Sequence, residues 1–306
     1  MVAACLTMTV SAFAQTPDAS AEGSQNEKKG FYVKLGGSYF FQATANEFPI
    51  VGGQEPNRDV YDPTTGALIS REAITGSFGE GFRTGLTGGY RFTERLGFEM
   101  GLNYYLSDSK TMAQTTNRVI NTDPTYLNFT SRGRVKALDL SPSMVLYLGE
   151  TKGFEPYTKV GVILPINGRL EIETDMVRTH QPSGTVTNIH RKDIVKPNPT
   201  VGFMAALGTS YKLGNKLSAF AELEYRNFTV HGKTKETTEY TVNGSNQLGT
   251  LTTAQIHTDY VDVINTSSNN PTTNQAGFDP NKPLEELSSY ISISGVGLTL
   301  GLRYDL

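Results

Sequence analysis

The side chains best suited to chemistry near neutral pH are four histidines, His180, His190, His231 and His257, because imidazole alone titrates there unperturbed. A hydrolase or acyl transferase built on strands would hold one of them beside a nucleophile or acidic partner. All four fall instead between the patterned segments described below. His231 would sit near Glu222 and Glu224, with no serine implied beside it. His180 and His190 would meet across a hairpin, yet a pair without a third ligand is a weak metal site. The single cysteine, Cys5, excludes a disulfide framework and a thiolate cluster. Gly79-Glu80-Gly81 and Gly295-Val296-Gly297 look like phosphate-loop fragments, but both read as strand glycines with no helix following. Arg132-Gly133-Arg134 is too short for a nucleic-acid patch. With Lys+Arg 27 against Asp+Glu 30, the net charge of −3 gives no drive toward nucleic acid. No catalytic residue, metal or cofactor is assigned.

The elements that would position any chemistry follow from composition and period. A length of 306 residues suits two domains or one large barrel. Hydrophobic content of 37% and a mean hydropathy of −0.32 exclude a bundle of transmembrane helices. Gly 31, Tyr 15 and Phe 15 point to strands and turns. Residues 1–14, ending in Ala12-Phe13-Ala14, have the apolar core and small-residue cleavage site of an export signal without its charged start. Val2-Ala3-Ala4-Cys5 resembles a lipoprotein box, but the apolar run continues past Cys5. Residues 15–30 read as a polar periplasmic linker and 31–306 as one β-domain.

From Phe31 onward the hydrophobic period is two, in eight segments. Clean examples are 31–41, 82–92 and 96–106. The others centre on Leu138–Leu148, Val160–Ile166, Val201–Lys212, Leu217–Arg226 and Val296–Leu306, with Pro142 and Pro165 interrupting two of them. Connections alternate in length. Long polar stretches run over 42–78, 107–133, 167–200 and 231–289, whereas Thr93-Glu94-Arg95, Gly149 to Gly153 and Gly214-Asn215-Lys216 are tight turns. Turn signals inside the long stretches, such as Asp62-Pro63-Thr64-Thr65-Gly66, Pro182-Ser183-Gly184 and Asn243-Gly244, predict hairpins that carry some strands beyond the barrel. Asp279 to Leu287 predicts one helical turn capped by Asp279 or Asn281.

Long loops on one rim and short turns on the other fit an eight-stranded antiparallel up-and-down transmembrane barrel, with external loops and periplasmic turns. The competing architecture is a soluble barrel with its apolar face inside. Glycine decides between them. The polar face carries Gly36, Gly85, Gly89, Gly97, Gly101, Gly161, Gly202, Gly208, Gly297 and Gly301. On a solvent surface each would cost roughly 0.5–1 kcal/mol for no packing return, whereas a crowded lumen needs small residues. Aromatic residues agree, forming two girdles on the apolar face. Phe31, Tyr90, Phe92, Phe98, Tyr211 and Tyr304 lie at the short-turn ends; Tyr39, Phe41, Phe82, Tyr104, Phe203 and Tyr225 lie near the long-loop ends.

The same alternation turns Lys34, Arg83, Arg91, Lys159, Lys212, Arg226 and Arg303 inward against Glu99, Asp139, Glu222, Glu224 and Asp305. Unpaired buried charges are costly, so an ion-pair network is expected. It would act as a polar plug or, alternatively, as a narrow gated pore with Arg303 and Glu222 as switch residues.

Gly88-Gly89-Tyr90-Arg91-Phe92, the turn into Leu96-Gly97-Phe98-Glu99-Met100-Gly101, and the terminal strand Gly297 to Leu306 together resemble the eight-stranded OmpA/OmpX-like outer-membrane β-barrel family, over roughly 31–306. The resemblance implies a monomer in the bacterial outer membrane, surrounded by lipid and lipopolysaccharide. It implies that the barrel-assembly machinery reads the last strand, here ending in Tyr304 and Leu306 rather than in the usual terminal aromatic. No peptidoglycan-binding domain follows in this sequence, so the tethering role of two-domain members does not carry over. Expected roles are structural or surface contact through the Thr/Asn/Ser-rich loops, 231–289 being the largest, with an unidentified external ligand. A pore is the alternative, and a lipid A-modifying enzyme is a more distant one.

Overall fold

A computed structural model describes residues 29–120, 125–198 and 200–306. The proposed export signal, and the linker up to residue 28, lie outside these residues.

Eight strands form the barrel: β1 Gly30–Gln42, β2 Gly81–Arg91, β3 Leu96–Ser107, β4 Thr125–Tyr147, β5 Phe154–His180, β6 Gly202–Lys212, β7 Leu217–Asn227 and β8 Gly295–Asp305. Each pairs antiparallel with its sequence neighbour. The ring closes through β1 against β8, from Tyr32 opposite Asp305 to Gln42 opposite Gly295. Closure leaves neither β1 nor β8 as a free edge strand. The turns β2–β3, β4–β5 and β6–β7 are short; in the first, Thr93 Oγ1 accepts the N–H of Leu96 at 2.9 Å.

The sequence pattern becomes three-dimensional most plainly along β4. Odd-numbered residues point inward from Thr125 to Tyr147 without interruption. Over Asp139, Ser141, Ser143 and Tyr147 that inward face is mostly polar, while Leu138, Leu140, Met144 and Leu146 face out. Nearer the long-loop end the polarity is exchanged: Leu127, Phe129 and Val135 are buried, and Asn128, Arg132 and Arg134 face out. β5 makes the same exchange but also changes phase. Glu155, Tyr157, Lys159 and Ile163 are inward below a register shift between Pro165 and Asn167, whereas Leu170, Ile172 and Thr174 are inward above it. One extra residue in a strand moves every later side chain to the other face.

The long connections are therefore sheet. Beyond the barrel a run of paired strands passes from Leu68–Ala73 through Asn57–Tyr61, Lys110–Ile120, upper β4, upper β5, Val186–Asn198, Thr229–Val242 and His257–Val261 to Leu284–Leu287. The three internal turn signals each close a hairpin in it. Asp62 Oδ1 accepts the N–H groups of Thr64 and Thr65 at 2.7 and 3.0 Å, a side-chain turn that Asp favours. Asn243 and Gly244 adopt φ of +50° and +79°, the two left-handed residues of a tight hairpin turn.

The helical turn expected at Asp279 to Leu287 is absent. Leu284–Leu287 is an edge strand, held where Asn269 bonds the carbonyls of Asp279 and Pro283 at 3.0 and 2.8 Å. The one α-helical turn among the described residues is Thr253–Ile256, with Thr252 and Gln255 forming its capping box. Gly79 lies in a turn rather than a strand, so close to Ser294 that a Cβ would overlap that residue's carbonyl.

One apolar core spans barrel mouth and extension. It joins Tyr105, Ile163 and Met204 from barrel strands to Ile172, Val195, Val230 and Ile293 above, with Phe48, Val51 and Phe78 folded in from the first connection. Tyr105 Oη donates to the Phe78 carbonyl at 2.7 Å. The extension is a cap.

Candidate functional site: a filled lumen beneath a sheet-built cap

Alternate strands supply the middle layer of the lumen: Lys34 from β1, Glu99 from β3, Lys159 from β5 and Glu222 from β7. They form a closed square. Lys34 Nζ lies 2.9 Å from Glu99 and 2.7 Å from Glu222, and Lys159 Nζ lies 2.6 Å from Glu222 and 3.4 Å from Glu99. Tyr157 donates to Glu222 at 2.7 Å and Tyr32 to Glu99 at 3.1 Å. Each carboxylate thus meets both ammonium groups and a phenol, the multiple pairing that buried charges require.

Toward the short turns, Arg91 bonds Glu155 at 2.9 Å and stacks over Tyr147 at 3.9 Å. Arg303 stacks over Tyr32 at 4.0 Å and pairs with Asp305, half-exposed at the rim, at 2.7 Å. Toward the long loops, Arg83 forks onto Glu224 at 2.7 and 2.6 Å. Arg226 reaches Asp139 at 2.8 Å, and Asn103 donates to Asp139 at 3.0 Å. Phe40 lies under both guanidinium groups.

The structure brings eleven of the twelve expected lumen charges into the barrel interior or its rim. Lys212 is the exception: it lies outside and pairs with Glu150 at 2.9 Å. Arg303 and Glu222, proposed as switch partners, are not paired; Arg303 faces Glu155 and Asp305, and Glu222 faces the two lysines. Sequence reasoning missed Glu155, which was hidden beside a turn, although the odd-numbered series of Tyr157 and Lys159 extends to it.

Aromatic rings were the other omission. Inward rings rest on glycines of the neighbouring strand: Tyr157 on Gly208 and Phe40 on Gly297, where a Cβ would come within 2.6 Å of the ring. The lumen glycines therefore make room for rings more than for charges, and the rings in turn fill the gap above the bare backbone. A cavity of about 30 Å³ lies among these layers, lined by Lys34, Arg83, Glu222 and Glu224 among others.

All twelve residues expected in the girdles lie on the outward face. Phe31 stacks on Tyr90 at 4.6 Å at the short-turn end, where Phe154 joins Tyr211 at the same spacing.

The histidines all sit in the cap. His190 lies beside Asp175 at 2.8 Å, while His180 turns to Ser183 at 2.7 Å; the hairpin register puts His190 five residues down from His180, so the two do not meet. His231 contacts Ser288 and the Tyr290 ring rather than Glu222 or Glu224. Among the described residues no three His, Cys, Asp or Glu side chains converge as a metal site.

Carboxylates brace the cap from outside. Arg71 forks onto Asp59 at 2.8 and 2.8 Å and holds that carboxyl below the usual range. Burial pushes Glu171 up, but its bonds to Lys136 and Arg169 outweigh this and leave it below its ordinary value.

A closed eight-stranded ring, apolar and aromatic outside and ionic inside, defines a membrane-spanning β-barrel protein. Residues 1–260 match the family model described as outer membrane protein beta-barrel domain, and the chain belongs to that family. The protein resides in the bacterial outer membrane. Its short turns are periplasmic and its cap extracellular. Neisserial surface protein A is similar at 12% identity and a TM-score of 0.37, covering 90% of this chain and 97% of that one. The outer membrane protein OprG from Pseudomonas aeruginosa is similar at 10% identity and a TM-score of 0.42, covering 91% and 97%. No curated protein sequence matches the chain.

Proposed function

We propose that this is a closed, monomeric barrel whose working surface is the extracellular cap, serving membrane integrity and contact with an external ligand or surface. The observation that carries this reading is the apolar core shared by the barrel mouth and the cap. Long outer strands that share a core with the barrel mouth form a rigid platform, which suits the presentation of a binding surface better than free loops. Its largest exposed part is 243–287, where Asn269 organises the polar chain. The filled lumen favours an anchor over a conduit. Surrounding lipid and lipopolysaccharide are the expected neighbours in the membrane, and the Tyr304–Leu306 end of β8 is the segment offered to the barrel-assembly machinery.

Two measurements on one preparation test the reading. In planar bilayers, protein folded as shown by its heat-dependent gel shift should give no stepwise conductance; regular steps would favour the pore. Fluorescent vesicles carrying the protein should adhere to host-cell or matrix surfaces, and replacing 243–287 with a short turn should abolish adhesion. Adhesion unchanged by that replacement would overturn the assignment of the platform.

A further inference from the structure

The barrel wall has a seam. β5 pairs with β6 only as far as Ile163 opposite Gly202, and its next partner on that side begins at Leu170 opposite Val195. Among the described residues, 164–169 have no ladder partner there. Pro165 and Pro197 stand on the two sides of the gap, and neither has an N–H to bridge it. Behind the seam lies an almost wholly apolar crevice of about 40 Å³, walled by Val195, Phe228, Val230, Ile291 and Ile293.

Its height in the membrane is set by register. Asn167 is level with Leu138, and Leu138 with Tyr104 of the outer girdle. Ile166 and Val201, the exposed residues bordering the seam, continue the lipid-facing belt up to its lip. Just above, Lys136 and Arg169 share the single carboxylate of Glu171, leaving one positive charge at the level of lipid headgroups.

From this continuity and this charge we infer that the seam is a lateral binding site for an acyl chain of an anionic outer-leaflet lipid. The headgroup is held by Lys136 and Arg169, and a bent segment of chain enters between Pro165 and Pro197. The crevice as it stands, about 40 Å³, is too small for more than the end of a chain. Deeper entry requires the 164–169 segment, whose other edge stays paired with β4 from Leu164 opposite Leu140 to Arg169 opposite Lys136, to bend outward.

Phosphatidylglycerol carrying a diazirine on one acyl chain, in vesicles with the folded protein, tests this by mass spectrometry of the adducts. Adducts on Val195, Val230 and Ile291, in addition to Ile166 and Val201, are expected. Adducts on the outward residues alone would overturn the site. Labelling of the buried set only by an added free diazirine fatty acid would overturn its assignment to bilayer lipid. Val230→Trp fills the crevice and should lose the buried adducts while keeping the outward ones. If that variant lacks the heat-dependent gel shift of a folded barrel, Val195→Phe takes its place with the same expectation. Lys136→Gln with Arg169→Gln should reduce buried labelling by phosphatidylglycerol but not by the matching phosphatidylcholine. Equal loss with both lipids, or none, would refute the headgroup contact.

Discussion

The inward faces of the barrel and of the cap are built from opposite materials on the same continuous strands. Asp139 and Ser143 of β4 point into a lumen of ion pairs, while Phe129 and Val135 of the same strand point into an apolar core. The outward faces exchange in step, from Leu140 and Met144 to Arg132 and Arg134. Backbone geometry does not change along β4; the solvent does. Where the surroundings are lipid, apolar side chains gain nothing by turning inward, so the polar residues collect inside and satisfy one another. Where the surroundings are water, the hydrophobic effect restores the ordinary arrangement. The crossover between Lys136 and Leu138 marks the outer membrane surface, and β5 crosses at its Pro165–Asn167 bulge.

The comparison predicts that the two halves fail by different routes. Removing one member of the lumen square should have the largest effect. Glu222→Ala leaves Lys34 and Lys159 sharing one carboxylate, and loss of a buried ion-pair partner costs roughly 4 kcal/mol. Urea titration followed by the heat-dependent gel shift should show the barrel opening at lower denaturant. In the cap, Ile172→Ala should cost about 3 kcal/mol through transfer and cavity terms. That loss should appear as proteolysis of residues 167–200 in detergent, with the barrel's gel shift intact. If Ile172→Ala destabilised barrel and cap together, the two would be a single cooperative unit.

A third substitution sharpens the contrast within the barrel itself. Gly208→Ala puts a Cβ within 2.6 Å of the Tyr157 ring, disturbing the phenol that donates to Glu222, at a cost of about 2 kcal/mol for overpacking. Gly88→Ala, on the lipid face with nothing within 4 Å, should be neutral in the same urea titration. Equal effects at the two glycines would mean that ring-on-glycine packing is not what the lumen glycines supply.

The barrel was legible in the sequence because its rule is simple. Period-two alternation held through all eight spans, and glycine on the polar face settled which side was in. The cap was legible only in outline: its three turn signals predicted hairpins that form, but the buried faces of its strands were not legible, for two physical reasons. Leu170 and Ile172 sit among Arg169, Glu171 and Glu173, so a strand with one buried face reads as a polar loop when its pairing partners are unknown. The bulge after Pro165 also shifts the phase, so extending the Val160–Ile166 series predicts the wrong face for every later residue of β5. The histidine pair fails similarly: proximity across a hairpin depends on register, and His190 lies opposite Asp175.

The smallest expected effect is an acid response confined to the cap. Asp59 and Glu171 have folded pKa values below their ordinary ones. Groups depressed in this way contribute stability that is fully present above the ordinary carboxylate pKa and is lost as pH falls through the folded value. Hydrogen exchange should therefore show protection of Asn57–Tyr61 and of upper β4 and β5 declining below about pH 5, while the pattern at neutral pH is unchanged. Arg71→Gln removes the partner that depresses Asp59 and should flatten the response in Asn57–Tyr61 and Leu68–Ala73, leaving that of Lys136, Arg169 and Glu171 in place. Both pairs lie partly in water, where a single exposed ion pair is worth little, so the shift should be modest and weakened further by salt. An acid response that persisted undiminished at Asn57–Tyr61 in Arg71→Gln would assign it to groups other than this pair, and the outer brace of the cap would have to be sought elsewhere on its surface.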